Sequence, residues 1–167
     1  VAKYGGNAMT DPVLKKNVMQ DILLLHLIGV NVILVHGGGP DINAMQDDMK
    51  IESHFENGLR VTDKDTMDVV QMVLAGKVNK GLVAYLSALG GKAIGLCGID
   101  GNMIQVHTKN EKLGLVGEID HIDTDVIDSA LSAGFIPVIS SVGIDSHGQP
   151  HNINAATAAT KIAAELN

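Results

Sequence analysis

Two glycine turns near the N-terminus, each leaving a short apolar stretch, carry the residue types best suited to chemistry in this chain. The first is Lys3-Tyr4-Gly5-Gly6-Asn7; the second is His36-Gly37-Gly38-Gly39-Pro40, reached from Asn31-Val32-Ile33-Leu34-Val35. Glycine lacks Cβ, so its backbone comes close to a ligand and turns N–H groups onto an anion. Lys3, just before the first turn, adds a full positive charge. Together they predict a site for phosphate or carboxylate where parallel strands deliver their loops. The glycine triplet fits neither the Walker A pattern nor G-x-G-x-x-G.

The elements that must position these turns read as alternating strands and helices. Val1 to Tyr4 ends a first strand. Asp11-Pro12 reads as an N-cap with proline at the first helical position. Leu14, Val18, Ile22, Leu25 and Ile28 then recur at helical spacing, and Gly29 closes the helix. Asn31 to Val35 reads as a second strand and Asp41 to Asp48 as a short helix. Strand, helix and strand form a βαβ unit, whose ligands bind at the carboxyl ends of the strands. Asn57-Gly58 is a hairpin-turn signal within an irregular stretch, 51–63.

Thr62-Asp63 begins the next helix. Met67, Val70 and Leu74 make one apolar face and Val78, Leu82, Leu86 and Leu89 another, with Gly76 expected to separate two helices. Ala93 to Cys97 reads as a strand; 102–107 and 115–121 read as a hairpin or edge excursion. Thr124 to Ala133 is helical, and Phe135 to Val142 is a strand if Pro137 sits near its start. After a turn at 145–149, Asn154 to Leu166 is the last helix. This order predicts an α/β fold, a three-layer α/β/α sandwich with a mainly parallel sheet.

Bulk composition narrows the function. The 167 residues are one domain's worth; 46% are hydrophobic, 19% charged and only 2% aromatic, so the core is aliphatic, as buried parallel sheets favour. The net charge of −7 disfavours nucleic acid and repels anions generally, so an anion site must gather its positive charge locally. No apolar run reaches membrane-spanning length and no signal peptide is visible. Cys97 is the only cysteine, which excludes an intrachain disulfide and fits a reducing cytoplasm. His107, His121, His147 and His151 lack metal-ligand spacing, so no metal site is expected. Lys77 and Lys80 read as a solvated helix face, and Met45, Met49, Met67 and Met72 as core or interface filler.

Five segments, taken together, resemble the N-terminal half of the amino-acid kinase family, and its acetylglutamate kinases in particular. They are Lys3-Tyr4-Gly5-Gly6-Asn7-Ala8-Met9, Val35-His36-Gly37-Gly38-Gly39-Pro40, Asn57-Gly58-Leu59-Arg60-Val61-Thr62-Asp63, Leu74-Ala75-Gly76-Lys77-Val78-Asn79-Lys80 and Asn152-Ile153-Asn154-Ala155. The resemblance implies a carbamate-kinase-like fold and ATP-dependent phosphorylation of the side-chain carboxylate of N-acetylglutamate, in arginine biosynthesis. It implies that residues 1–167 bind acetylglutamate and form a homodimer contact. The family's nucleotide-binding C-terminal half would follow Asn167, and magnesium would arrive on ATP.

Carried over residue by residue, the resemblance makes Lys3 catalytic, its ammonium on the transferred phosphoryl group. Gly5 and Gly6 become phosphate-binding through their N–H groups. Gly38, Gly39, Arg60, Asn152 and Asn154 become substrate-binding, with Arg60 forked onto the α-carboxylate. Asn154 also reads as an N-cap, and His36 as a structural imidazole bonded to backbone. One position departs: the family follows Asn-x-Asn-Ala with aspartate, and this chain has Ala156. That substitution, with the missing nucleotide half, favours a chain that is inactive alone. It also sustains a second reading, a noncatalytic amino-acid-binding or regulatory module. An α/β-hydrolase, suggested by His-Gly-Gly-Gly, lacks its Gly-x-Ser-x-Gly elbow.

Overall fold

The computed structural model describes residues 1–167. Its centre is a four-stranded parallel sheet of β1 (Ala2–Tyr4), β2 (Leu34–His36), β8 (Ile136–Ser140) and β5 (Ala93–Cys97), in the order β1-β2-β8-β5. Side chains alternate along these strands. Leu34, Ile136 and Val138 face one core with Met19, Ile22, Met67, Leu82 and Leu86; Val35 and Ile139 face another with Ile127, Ala158 and Ile162. Both sheet faces are therefore buried, and the three-layer α/β/α arrangement stands.

One outer layer holds α2 (Pro12–Leu27), α4 (Lys64–Gln71) and α5 (Asn79–Ala88); the other holds α6 (Asp125–Ser132) and α7 (Ala155–Glu165). The one-turn α1 (Asn7–Thr10) follows the first glycine turn, and α3 (Gly39–Asp48) follows the second. Asp11 caps α2 as its sequence predicts, accepting from the Val13 and Leu14 N–H groups at 2.8 and 3.2 Å. Asn57 and Gly58 take positive φ (49° and 78°) between β3 (Phe55–Glu56) and β4 (Leu59–Arg60), as a tight hairpin requires. Pro137 lies at the second position of β8, before the pairing with β2 begins at Val138, so no ladder bond to β2 is lost there.

Three sequence expectations are corrected. Gly76 does not separate two helices: α4 runs through a π-helical segment, Met72–Val78, into α5 without a break. The expected stripe on α2 is largely in solvent. Leu14, Leu25 and Ile28 are exposed while Met19 and Ile22 are buried, because the apolar residues of this helix are spread over more than one face and periodicity alone does not pick the inward one. The second strand begins at Leu34 and not Asn31. The hairpin expected within residues 102–121 is present, its two strands antiparallel. β6 (Ile104–Thr108) and β7 (Gly117–Ile122) join β9 (Val142–Ile144) and β10 (Pro150–Asn152) in a second sheet, ordered β10-β9-β6-β7. Each of its strands is short, and β9 begins at Val142, the last residue of the strand read from Phe135.

Candidate functional site

At the carboxyl ends of β2 and β8 a cleft of about 180 Å³ opens between the glycine turn, the β3–β4 hairpin and the start of α7. That is below the roughly 300 Å³ usual for drug-sized ligands, so the space suits a small one. Gly38, Gly39, Arg60, Asn152 and Asn154, all predicted substrate residues, line it together. Lys3, Gly5 and Gly6 do not line it. Lys3 lies on β1 and Gly5 and Gly6 on the adjoining turn, because β1 pairs beside β2 (Tyr4 with His36) and the Gly37 N–H donates to the Tyr4 carbonyl at 3.4 Å. The exposed Lys3 side chain folds back over Gly5; a Cβ on Gly5 would lie 2.6 Å from its Nζ.

The glycine turn is held from below. His36 is fully buried; its Nδ1–H donates to the Gly37 carbonyl at 2.9 Å, and the Asn79 amide donates to its Nε2 at 3.1 Å. Those partners fix a neutral imidazole. Burial also pushes its pKa below the ordinary histidine value. The structural role expected of His36 is thus what the geometry shows. Asn79 further donates to the Val138 carbonyl at 2.9 Å and so ties α5 to the centre of the sheet. Beside His36 in register stand Ser140 and Cys97. Ser140 Oγ has no hydrogen-bond partner, and burial raises the Cys97 pKa, which keeps that thiol protonated and inert.

Arg60 is the chain's single arginine and is 7% exposed. Its Nη1 donates to Gln46 Oε1 at 2.5 Å and Ser53 Oγ at 3.4 Å; its Nη2 donates to Asn43 Oδ1 at 2.8 Å and the Gly39 carbonyl at 3.4 Å. The ring of Phe55 covers its plane, 4.7 Å from Cζ. No carboxylate lies within 4.0 Å. Burial accordingly depresses the guanidinium's pKa, with no anion to offset it. Two of its four bonds are long and its Nε–H has no protein partner. An incoming carboxylate therefore finds donors to take.

Asn152, at the end of β10, donates to Thr62 Oγ1 at 3.3 Å; Thr62 in turn donates to the Arg60 carbonyl at 2.8 Å. This relay joins the two sides of the cleft. Asn154 caps α7, accepting from the Thr157 N–H at 3.0 Å, so its capping role is visible. Ala156 lies exposed in the first turn of α7.

Sequence reasoning missed Asn43, Gln46, Ser53, Thr62 and Asn79. Gln46 left a trace, standing four residues after Ile42 on the buried face of α3, where a polar residue needs a partner. Lys77 and Lys80 are exposed on the helix face, as expected, and each also has a partner. Lys77 pairs with Asp41 at 3.2 Å, and Lys80 reaches the Gly95 carbonyl at 3.2 Å. Of the four methionines read as filler, Met67 is core, whereas Met49 and Met72 are about half exposed.

Known proteins resemble the chain over nearly all of it. Acetylglutamate kinase of Brachyspira hyodysenteriae is 53% identical over 168 residues, covering 99% of this chain and 58% of that protein. The chain thus spans somewhat over half the length of such relatives. A solved protein of Streptococcus mutans UA159 superposes with TM-score 0.91 at 31% identity, covering 99% of this chain and 67% of that one. N-acetylglutamate synthase of Neisseria gonorrhoeae, solved with coenzyme A and N-acetyl-glutamate, gives TM-score 0.79 at 25% identity, over 97% of this chain and 38% of that one. The model of the amino acid kinase family matches residues 1–167 throughout, and the chain belongs to that family.

Proposed function

We propose that these residues form the acetylglutamate-binding part of an enzyme that phosphorylates the side-chain carboxylate of N-acetylglutamate with ATP, a step toward arginine. The observation that carries this reading is Arg60, a buried cation without a carboxylate partner in a small cleft. The similarity to acetylglutamate kinases supports the substrate, as does a relative solved with N-acetyl-glutamate. In this reading Arg60 takes the α-carboxylate and Asn152 and Asn154 take the amino-acid end, leaving the side-chain carboxylate toward Lys3 and the Gly5-Gly6 turn. That carboxylate is already ionised near neutrality, so catalysis rests on position and on donors aimed at the phosphoryl group. Magnesium would enter on the nucleotide's own phosphate oxygens. ATP would be held by a further domain, and two copies would associate through this half, in the cytoplasm.

Calorimetry with N-acetylglutamate tests the binding assignment. The chain should bind it, and Arg60→Ala should weaken binding by about 2–5 kcal/mol, since the anion then enters without its counter-charge. Unchanged affinity in that variant would remove the central residue of the proposal.

A second reading, a noncatalytic binding or regulatory module, is favoured by Ala156. Alanine lacks the acceptor that the family's aspartate would offer to the catalytic lysines and glycine N–H groups. In a version carrying a nucleotide-binding half, Ala156→Asp should raise kcat with little change in KM. A steady-state assay showing the same kcat before and after would dismiss Ala156 as a cause of inactivity.

A further inference from the structure

The guanidinium facing the cleft is ringed only by uncharged oxygens. Gln46 is the innermost. It is fully buried, its Oε1 accepts from both Arg60 Nη1 and Ser53 Oγ (2.8 Å), and its Nε2 donates to Thr66 Oγ1 at 3.4 Å. Asn43 closes the other edge from one helical turn back on α3. Buried cations are ordinarily matched by a carboxylate, because an unmatched one forfeits hydration without recompense. Acidic side chains are plentiful here, 19 against 12 basic ones, and α3 alone carries Asp41, Asp47 and Asp48. None of them pairs with Arg60.

We infer that Gln46 is a positioning residue whose neutrality sets the site's preference for a carboxylate ligand. It aims the Arg60 guanidinium by hydrogen bonding and leaves the positive charge to be matched by the ligand. This rests on the reading that Arg60 receives the α-carboxylate of N-acetylglutamate. The shape of the site makes the point testable, since glutamate is nearly isosteric with glutamine. Arg60 and Ser53 would go on donating to one carboxylate oxygen, and the Thr66 hydroxyl would turn to donate to the other. Charge changes while packing does not.

The experiment is calorimetry on the wild-type chain, Arg60→Ala, Gln46→Glu and Asn43→Asp, each with N-acetylglutamate and with its α-carboxamide. Circular dichroism and a thermal melt report folding. The wild type should prefer the acid. Gln46→Glu should bind the acid at least about tenfold more weakly, because two like charges then share one guanidinium. It should bind the α-carboxamide as the wild type does, so the acid-to-amide preference collapses. If Gln46→Glu fails to fold, Asn43→Asp at the exposed edge carries the test, with a smaller, several-fold fall in the same ratio. A preserved ratio in a folded variant overturns the inference, and so does equal weakening of acid and amide, which is the mark of a packing role. Both leave the Arg60 assignment standing. Arg60→Ala binding like the wild type, or a wild type that binds neither compound, overturns the Arg60 assignment and this inference with it.

Discussion

A Cβ built on Gly38 would lie 2.6 Å from Leu74 Cδ2 and 3.2 Å from Val78 Cγ2, whereas one built on Gly39 would meet nothing within 4 Å. The two glycines are neighbours with opposite reasons to exist. Gly38 lets the turn sit against the π-helical segment; Gly39 faces the open cleft. Gly38→Ala should therefore destabilise the fold by about 1–3 kcal/mol through overpacking. Gly39→Ala should fold at least as well, because alanine favours the first turn of α3, yet lose affinity for N-acetylglutamate as its methyl enters the cleft. Urea denaturation and calorimetry on the same two variants separate these effects. At this scale the sequence was legible where glycine, arginine and asparagine types advertise a job. The five predicted substrate residues do meet, while Gln46 and Asn79 stayed hidden because an amide among apolar neighbours declares its partner only in three dimensions.

Between α4 and α5 the wider π-helical turn lets Leu74 and Val78 both reach Gly38 while Asn79 points into the sheet. Gly76 lies exposed in this segment with open space where its Cβ would be. Glycine there is a conformational liability to the folded state, and Gly76→Ala should stabilise by about 0.5–1 kcal/mol. A rise in the urea midpoint at constant m-value checks it; a fall would mean that the segment needs a flexible joint. Elements with strong local signals were readable: the capped α2, the Asn-Gly hairpin, and the long apolar pattern from Met67 to Leu86. The second sheet was readable only in its β6–β7 hairpin. β9 and β10 are three residues long, and the sheet closes through a pairing of β6 with β9 far along the chain, so neither propensity nor period specifies it.

Across the whole molecule, two aliphatic cores clasp the parallel sheet, and a polar row of His36, Ser140 and Cys97 interrupts one of them beneath the glycine turn. The buried neutral imidazole links folding to pH. Its folded pKa lies below the unfolded value of about 6.5, so between the two the unfolded chain holds the extra proton. Stability should be flat above about pH 6.5 and fall as pH drops beneath it, with a limiting slope near 1.4 kcal/mol per pH unit for one proton. His36→Asn should remove that slope whatever its absolute stability, as denaturant titrations from pH 7.5 to 5 would show. The Asp63 carboxyl, held below its ordinary value by the Thr66 N–H, acts in a different window, near and below about pH 4. The presence of one arginine among 167 residues has a practical corollary. An α-dicarbonyl reagent such as phenylglyoxal has one guanidine on which to condense. Intact-mass spectrometry would then count a single adduct per chain, and its rate of appearance would clock how often the hairpin exposes the floor beneath Phe55.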